Sequence, residues 1–361
     1  MKSKIVTLVF ILFMLFPTFN AVFGLTENRA TERGTRMSIQ DLSSNSIFQY
    51  FDDFEYYYSK NFYGRSMFFR SVSYLKYNFF GTSIKPEPCL VGEDDFLFLG
   101  NNASDIIDET LGVEQFNHNE LRKINSRIIS HSEWMKENSI DFIFAVAPNK
   151  HSVYPEKLPF EVEEYTQRKI NQIYRLISQN SNISWVNLID GMQGNSRYGS
   201  LYHKTDSHWN SVGGYLGYRN IITKLNEIYP GDFLSIRFEK LDKYSIERNT
   251  YGLSRMLDLP IYEMSNDVKI QNPKAIQQPG KIEHNKRNDF ELRFVNPRRK
   301  FKILIFRDSF GTELVPYLSE HFKESIFIWS SRIDRELIIK EKPDLVLFEI
   351  VERNLDVLLN F

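Results

Sequence analysis

From Leu121 onward the chain alternates helical stretches with short, fully apolar runs, and this alternation restricts the fold more than any other feature. The runs are Phe142-Ile143-Phe144-Ala145-Val146-Ala147, Trp185-Val186-Asn187-Leu188, Lys302-Ile303-Leu304-Ile305-Phe306, Ile326-Phe327-Ile328-Trp329 and Leu345-Val346-Leu347-Phe348-Glu349-Ile350. Apolar runs without a period of two read as strands buried on both faces. Helices are predicted between them, at about 121–137, 169–178, 211–228, 312–322 and 335–340. The fold class is therefore α/β: a doubly wound, flavodoxin-like parallel sheet of about five strands with helices on both faces. A polar stretch at about 229–297, containing Pro and Asn, reads as a small β-containing insertion. Ligands of such sheets bind beyond the carboxyl ends of the strands, so the loops after strands are where chemistry is sought.

The segments before this body divide three ways. Residues 1–24 carry Lys2 and Lys4, an apolar run from Ile5 to Phe16, Pro17, and a small-residue stretch ending at Gly24. That is the pattern of a signal peptide. An N-terminal membrane anchor through residues 5–23 is the other reading, since about 20 apolar residues span a bilayer. Either one exports the rest, to the periplasm or the cell surface. Residues 25–45 form a polar leader. Residues 46–120 form a helical and hairpin extension packed on the body, with an amphipathic helix over 67–80 and a hairpin over Cys89–Leu99. The catalytic domain is 121–361.

Composition removes several functions. The net charge is −1, from 45 basic and 46 acidic residues, so the clustered basic excess that nucleic acid requires is missing. Cys89 is the single cysteine, which excludes an internal disulfide and a multi-cysteine zinc site. No cofactor is expected. The 30 Phe and 19 Tyr are read first as packing and second as a sugar-stacking surface.

Three loops hold residues able to carry chemistry. In Phe306-Arg307-Asp308-Ser309-Phe310-Gly311 a strand ends and a helix starts, which presents a serine hydroxyl at the sheet edge beside free N–H donors. Taken alone, a helix cap by Asp308 or Ser309 is the simpler account. In Thr205-Asp206-Ser207-His208-Trp209-Asn210, Asp206 can orient the His208 imidazole that takes a serine proton. A metal site of His203, Asp206 and His208 is a weaker alternative, and no metal is expected. In Pro148-Asn149-Lys150-His151 the Asn149 amide is a candidate oxyanion donor, with Lys150 and Tyr154 as substrate-binding candidates. Glu349, Glu352 and Arg353, at the end of the last strand, read as an ion-pair cluster that could orient these loops.

These segments, in order, resemble the alginate O-acetyltransferase AlgJ/AlgX family, whose catalytic domain is a permuted SGNH-hydrolase-like domain. The resemblance rests on residues 91–98, Pro148-Asn149-Lys150 with Val153-Tyr154-Pro155-Glu156, Thr205-Asp206-Ser207-His208-Trp209-Asn210, and Arg307-Asp308-Ser309-Phe310. It covers about residues 45–355. It implies a catalytic triad of Ser309 as acetyl-accepting nucleophile, His208 as general base and Asp206 as its orienting acid. It also implies acetyl transfer to an exopolysaccharide outside the cytoplasm, with a membrane-bound O-acyltransferase as acetyl donor. Arg307 stands where the family has Gly, which is expected to narrow or recharge the site; Trp209 and Arg307 join the substrate-binding candidates. The same triad would serve an SGNH-type carbohydrate esterase that removes acetyl groups. A non-catalytic polysaccharide-binding or assembly protein is the third reading.

Overall fold

The computed structural model describes residues 2–23, 65–102, 104–163, 167–180, 183–194, 196–249, 252–280 and 290–361. The leader expected at 25–45 lies outside the described residues. The chain divides into two compact units, residues 1–80 with 257–259, and residues 81–256 with 260–361. In the first unit, Lys2–Phe23 (α1) and Arg65–Phe80 (α2) are helical. Among the described residues no helix is long and apolar enough to cross a membrane; Pro17 and Asn20 break the apolar run of α1.

The second unit begins with the expected hairpin, Cys89–Val91 (β1) paired antiparallel with Leu97–Leu99 (β2). Its turn passes Asp94 and Asp95 through positive φ, at 53° and 63°, a conformation that Asp tolerates better than most residues. There follow His118–Glu137 (α3), Asp141–Ala147 (β3), Lys169–Ser178 (α4), Ser184–Asn187 (β4) and Ser211–Ile228 (α5). Leu241–Asn249 (β5) and Tyr262–Ile270 (β6) come next, then Ile276–Gln278 (β7), Glu291–Val295 (β8), Lys302–Arg307 (β9), Glu324–Trp329 (β10), Arg335–Glu341 (α6) and Leu345–Val351 (β11).

Among the described residues the main sheet has seven strands in the order β4-β3-β11-β9-β10-β8-β7. The five strands read from the sequence are its parallel part. The insertion adds β8 and β7, both antiparallel, at one edge. Strand β8 lies between β10 and β7 and buries Glu291 and Arg293, which pair with each other, and this polar content hid it from a search for apolar runs. The remaining insertion strands, β5 and β6, pair as a separate antiparallel ribbon.

Alternate residues of the parallel strands supply two cores. Ile143, Ala145, Ala147, Ile303, Ile305, Leu345 and Leu347 face α5 on one side. Phe142, Phe144, Val146, Leu304, Phe306, Val346 and Phe348 pack with α3, α4 and α6 on the other. Helix α3 starts on a capping box in which the Asn117 side chain accepts from the N–H groups of Asn119 and Glu120, and Glu120 accepts from Asn117. It turns Ile124, Ile128 and Met135 inward at helical spacing.

Helix α5 reaches the segment after β9 only because it carries glycine there. A Cβ on Gly214 would stand 2.4 Å from Glu313 Cβ and 2.9 Å from its carbonyl oxygen. Gly214→Ala is expected to lower stability by about 1–3 kcal/mol through overpacking, measured as a fall in urea midpoint at unchanged slope.

Candidate active site

The loop after β9 does not use its serine as a cap. Ser309 stands at the start of a 3-10 turn, Phe310–Leu314, and makes no side-chain capping bond. Asp308 closes the turn instead: its Oδ1 accepts from Phe310 N–H at 2.8 Å and its Oδ2 from Val351 N–H at 2.8 Å. Ser309 Oγ is thereby free to meet His208 Nε2, at 2.8 Å. The other imidazole nitrogen, Nδ1, lies 2.7 Å from Asp206 Oδ1, which also accepts from His208 N–H at 3.0 Å. With Nδ1 donating to the carboxylate, Nε2 carries the lone pair that a serine proton needs. Burial alone would raise the Asp206 pKa, but the His208 hydrogen bonds and charge bring it down to about 2.

The three side chains come from loops far apart in sequence, and their spacing is set by neighbours. Trp209 is 1% exposed and its Nε1 donates to Phe310 O at 2.9 Å, joining the residue after the histidine to the residue after the serine. A β-bridge pairs Tyr202 with Trp209, and Asn210 caps α5 by accepting from Val212 and Gly213 N–H. A Cβ on Gly252, whose φ is +39°, would stand 2.6 Å from Asp206 Oδ2, so this glycine seals the far side of the carboxylate.

Lys150 has a role other than the substrate contact expected of it. It is 2% exposed, and its Nζ donates to the carbonyls of Leu97 at 2.7 Å, His203 at 2.7 Å, Lys204 at 2.9 Å and Asp206 at 3.2 Å. The ammonium also lies 4.9 Å and 5.1 Å from the ring centres of Phe96 and Phe98. Burial brings its pKa down to about 7, against the pull of Glu263 and Asp206.

Tyr154 likewise turns inward: its hydroxyl accepts from Leu201 N–H at 2.8 Å. Asn149 is 1% exposed; its N–H donates to Glu352 at 2.8 Å and its Oδ1 accepts from Arg353 at 3.4 Å. Arg307, expected to narrow or recharge the site, is 1% exposed. Its guanidinium lies 4.7 Å from the Trp329 ring centre and donates to Asp308 O and Thr312 Oγ1. The expected ion-pair cluster re-partners as well: Glu352 binds Arg168 at 2.8 Å and the Ser152 hydroxyl at 2.6 Å.

The cavity over Ser309 has a volume of about 250 Å³, and Asn149, Lys150, Tyr154 and Arg307 do not line it. Its walls include the three central residues, with Glu313, Arg248 and Glu263. The sequence reading missed the last three. Glu313 was within reach, because it lies in the short turn that begins at Ser309. Arg248 and Glu263 sit in the ribbon, where nothing local marks them. His203 Nδ1 faces Glu263 at 3.2 Å, which commits it elsewhere than the metal site considered above; among the described residues no group of three or more His, Cys, Asp or Glu is arranged to hold a metal.

Residues 89–235 match the model of the SGNH hydrolase-like domain of the acetyltransferase AlgX. The fold is SGNH hydrolase-like. The match bears out the resemblance seen in the sequence; it contains Asp206 and His208 and ends before Ser309. No curated protein matches the sequence. Among solved structures, Bacillus cereus PatB1 with a sulfonyl adduct is similar with a TM-score of 0.58 at 19% identity, over 74% of this chain and 95% of that one. A second Bacillus cereus PatB1 structure gives a TM-score of 0.55 at 18% identity, over 74% and 96%. A DHHW family protein from Eubacterium siraeum gives 0.50 at 14% identity, over 76% and 94%. At these identities the likeness is one of fold.

Two outcomes follow from this geometry. Lys150→Met would leave several buried carbonyls without a donor and is expected to cost about 3 kcal/mol or more, read from urea unfolding. The folded pKa of Asp206, about 2, lies below the ~3.9 of an unfolded aspartate. Its contribution is therefore full above that value and lost as pH falls through the folded one. Wild type should exceed Asp206→Asn by about 2 kcal/mol at neutral pH. In thermal melts this difference should shrink steadily as the solution is acidified from about pH 4 toward pH 2.

Proposed function

We propose that this chain is an exported O-acetyltransferase that carries acetyl on Ser309 and passes it to hydroxyls of an exopolysaccharide or another cell-surface polysaccharide. The observation that carries this reading is His208 bridging Asp206 and Ser309 at 2.7 Å and 2.8 Å. The match of residues 89–235 to an acetyltransferase domain favours transfer over hydrolysis. A signal-like or anchoring segment at residues 1–24 suits work outside the cytoplasm, with a membrane-bound O-acyltransferase as the source of acetyl groups.

In the first half-reaction Ser309 Oγ attacks the acetyl carbonyl of the donor while His208 Nε2 takes its proton. Asp206, held ionised, stabilises the imidazolium so formed. The neighbouring N–H groups of Asp308 and Phe310 are engaged with Glu349 and Asp308. Ser309's own N–H has no partner among the described residues, which leaves it as the donor for the developing oxyanion. The tetrahedral intermediate collapses, the donor's leaving group departs with the proton from His208, and acetyl remains on Ser309. In the second half a sugar hydroxyl gives its proton to His208 and attacks the acetyl carbon. The bond to Ser309 Oγ breaks, and the serine regains a proton from His208.

The test is a chromogenic acetyl ester with purified protein, together with the acetyl content of the host's extracellular polymer. Wild type should release one equivalent of chromophore in a burst, and Ser309→Ala should release none. Asp206→Asn should slow the burst by about 10⁴-fold, as loss of the orienting acid does in such triads. Polymer acetylation should fall with Ser309→Ala in cells. Unchanged acetylation with Ser309, His208 and Asp206 each replaced by Ala would defeat the catalytic reading. A burst followed only by acetate release, even with polysaccharide present, would make the protein an esterase.

A further inference from the structure

Two residues lining the Ser309 cavity, Arg248 and Glu263, come from the β5–β6 ribbon and not from the main sheet. In an antiparallel ribbon, directly paired residues share a face. The pairs Arg248 with Glu263, Ile246 with Ser265, and Tyr244 with Asp267 therefore all point one way. That way is inward: Glu263, Ser265 and Asp267 are buried while Tyr262 and Met264 are exposed. Glu263 accepts from Thr205 N–H at 2.8 Å and Asp267 from the Ser211 hydroxyl at 2.9 Å, which fixes the ribbon to the histidine loop and to α5.

On the β5 side the same face stays half open. Ile246 and Tyr244 are each 41% exposed, and they continue in line from Arg248, which lines the cavity. At a rise of about 3.3 Å per residue, this strip runs about 13 Å outward from the cavity. One apolar side chain and one aromatic ring in line with a catalytic serine form a surface on which the C–H face of a sugar ring can rest.

The charges select the kind of sugar. The cavity wall carries the carboxyls of Asp206, Glu263 and Glu313. Its one guanidinium, Arg248, is bound to Asp267 at 2.6 Å. Farther along the strip, the Lys269 ammonium lies over the Tyr244 ring, 5.6 Å from its centre. Glu313 differs from the other two acids. Asp206 and Glu263 have histidine and backbone partners, whereas Glu313 accepts no side-chain hydrogen bond and forms no ion pair among the described residues. An unpartnered carboxyl beside the nucleophile calls for hydroxyl donors, and it repels another carboxylate.

We infer that the strip Arg248–Ile246–Tyr244 with Glu313 is the acceptor-binding site, and that the acceptor is a polysaccharide whose reacting sugar is uncharged. Glu313 accepts from hydroxyls flanking the one that is acetylated, and Tyr244 with Ile246 supports the next ring. A uronate at the reacting position would set its carboxylate against Glu313 and Asp206. This site rests on the acyl-serine reading given above, because it acts only on the second half-reaction.

The test uses the purified full chain with 4-nitrophenyl acetate as donor and two acceptors of equal length, a neutral chito- or cello-oligosaccharide and an oligouronate. Mass spectrometry of acetylated acceptor against free acetate gives a partition ratio per acyl-enzyme, which is independent of how much protein is correctly folded. The neutral acceptor should divert acetyl from water, and the oligouronate should not. At subsaturating neutral acceptor, Glu313→Ala should lower the ratio tenfold or more, the loss of one hydrogen bond to a charged group. Tyr244→Ala should lower it several-fold, with Tyr244→Phe restoring it. Glu313→Lys should raise transfer to the oligouronate. Equal transfer to both acceptors by wild type, or an unchanged ratio in both Glu313→Ala and Tyr244→Ala, overturns the acceptor site while leaving the acyl-serine reading standing. Absence of a burst in wild type overturns the acyl-serine reading first, and the acceptor site falls with it.

Discussion

One buried ammonium ties the site to the fold. Lys150 follows β3 by three residues and donates to backbone carbonyls from β2 and from three residues of the histidine loop. A lysine out of contact with water needs compensation for its lost hydration, and carbonyl dipoles together with the faces of Phe96 and Phe98 provide it. The hairpin of residues 89–99 is consequently part of the active-site framework. It holds, through Lys150, the backbone from which Asp206 and His208 project. Among the described residues no carboxylate is bonded to Lys150, so the loop gains a rigid anchor without a second acid competing with Asp206 for His208.

Behind the serine the framework is acidic. Asp308 is buried, and burial raises its pKa; Glu349 from β11 lies against it, raised well above the ordinary carboxyl range by burial and then by Asp308. Two close buried carboxyls cannot both ionise cheaply, and of the two Asp308 has a pair of N–H donors that favour its charge. Arg307 belongs to this layer. A Cβ on Gly311 would stand 2.7 Å from Arg307 Cβ and 2.8 Å from both Arg307 Cδ and Glu349 Oε2, so the arginine stem and Glu349 fill the space beneath the turn. A residue that differs from the family pattern thus changes what supports the serine loop, not what the substrate meets.

The parallel sheet was legible because β3, β9, β10 and β11 are largely apolar on both faces and alternate with helical stretches. Strands β7 and β8 were not, since β7 is exposed along its length and β8 buries the charged Glu291 and Arg293. That Ser309, His208 and Asp206 meet was legible from the order of three motifs and from a resemblance to a family, not from any single segment. Lys150, Tyr154 and Arg307, expected at the site, stand off the cavity wall for one reason. A sequence gives proximity to a catalytic motif but not the direction of a long side chain, and all three turn their polar ends to neighbouring backbone or side-chain groups. Glu263 and Arg248 depend on the register of a ribbon lying 40 to 60 residues from the histidine, which no local pattern reports.

The insertion completes the site in a way that separates two requirements. Asp206, His208 and Ser309 sit on loops braced by the sheet, by Lys150 and by the Trp209–Phe310 bond, the precision that the proposed acyl transfer requires. The proposed acceptor side is a two-stranded ribbon anchored through Glu263, Asp267 and the buried Leu241 and Val268, with Tyr262 and Met264 exposed on its outer face. Proteins depart from local stability rules chiefly where function needs it, and Glu313 is such a departure: burial raises its pKa without a bonded cation to offset the cost. The same helical turn that presents Ser309 could have carried a neutral residue at position 313 at less expense to stability. A ligand that supplies the missing donors accounts for a carboxyl at this position.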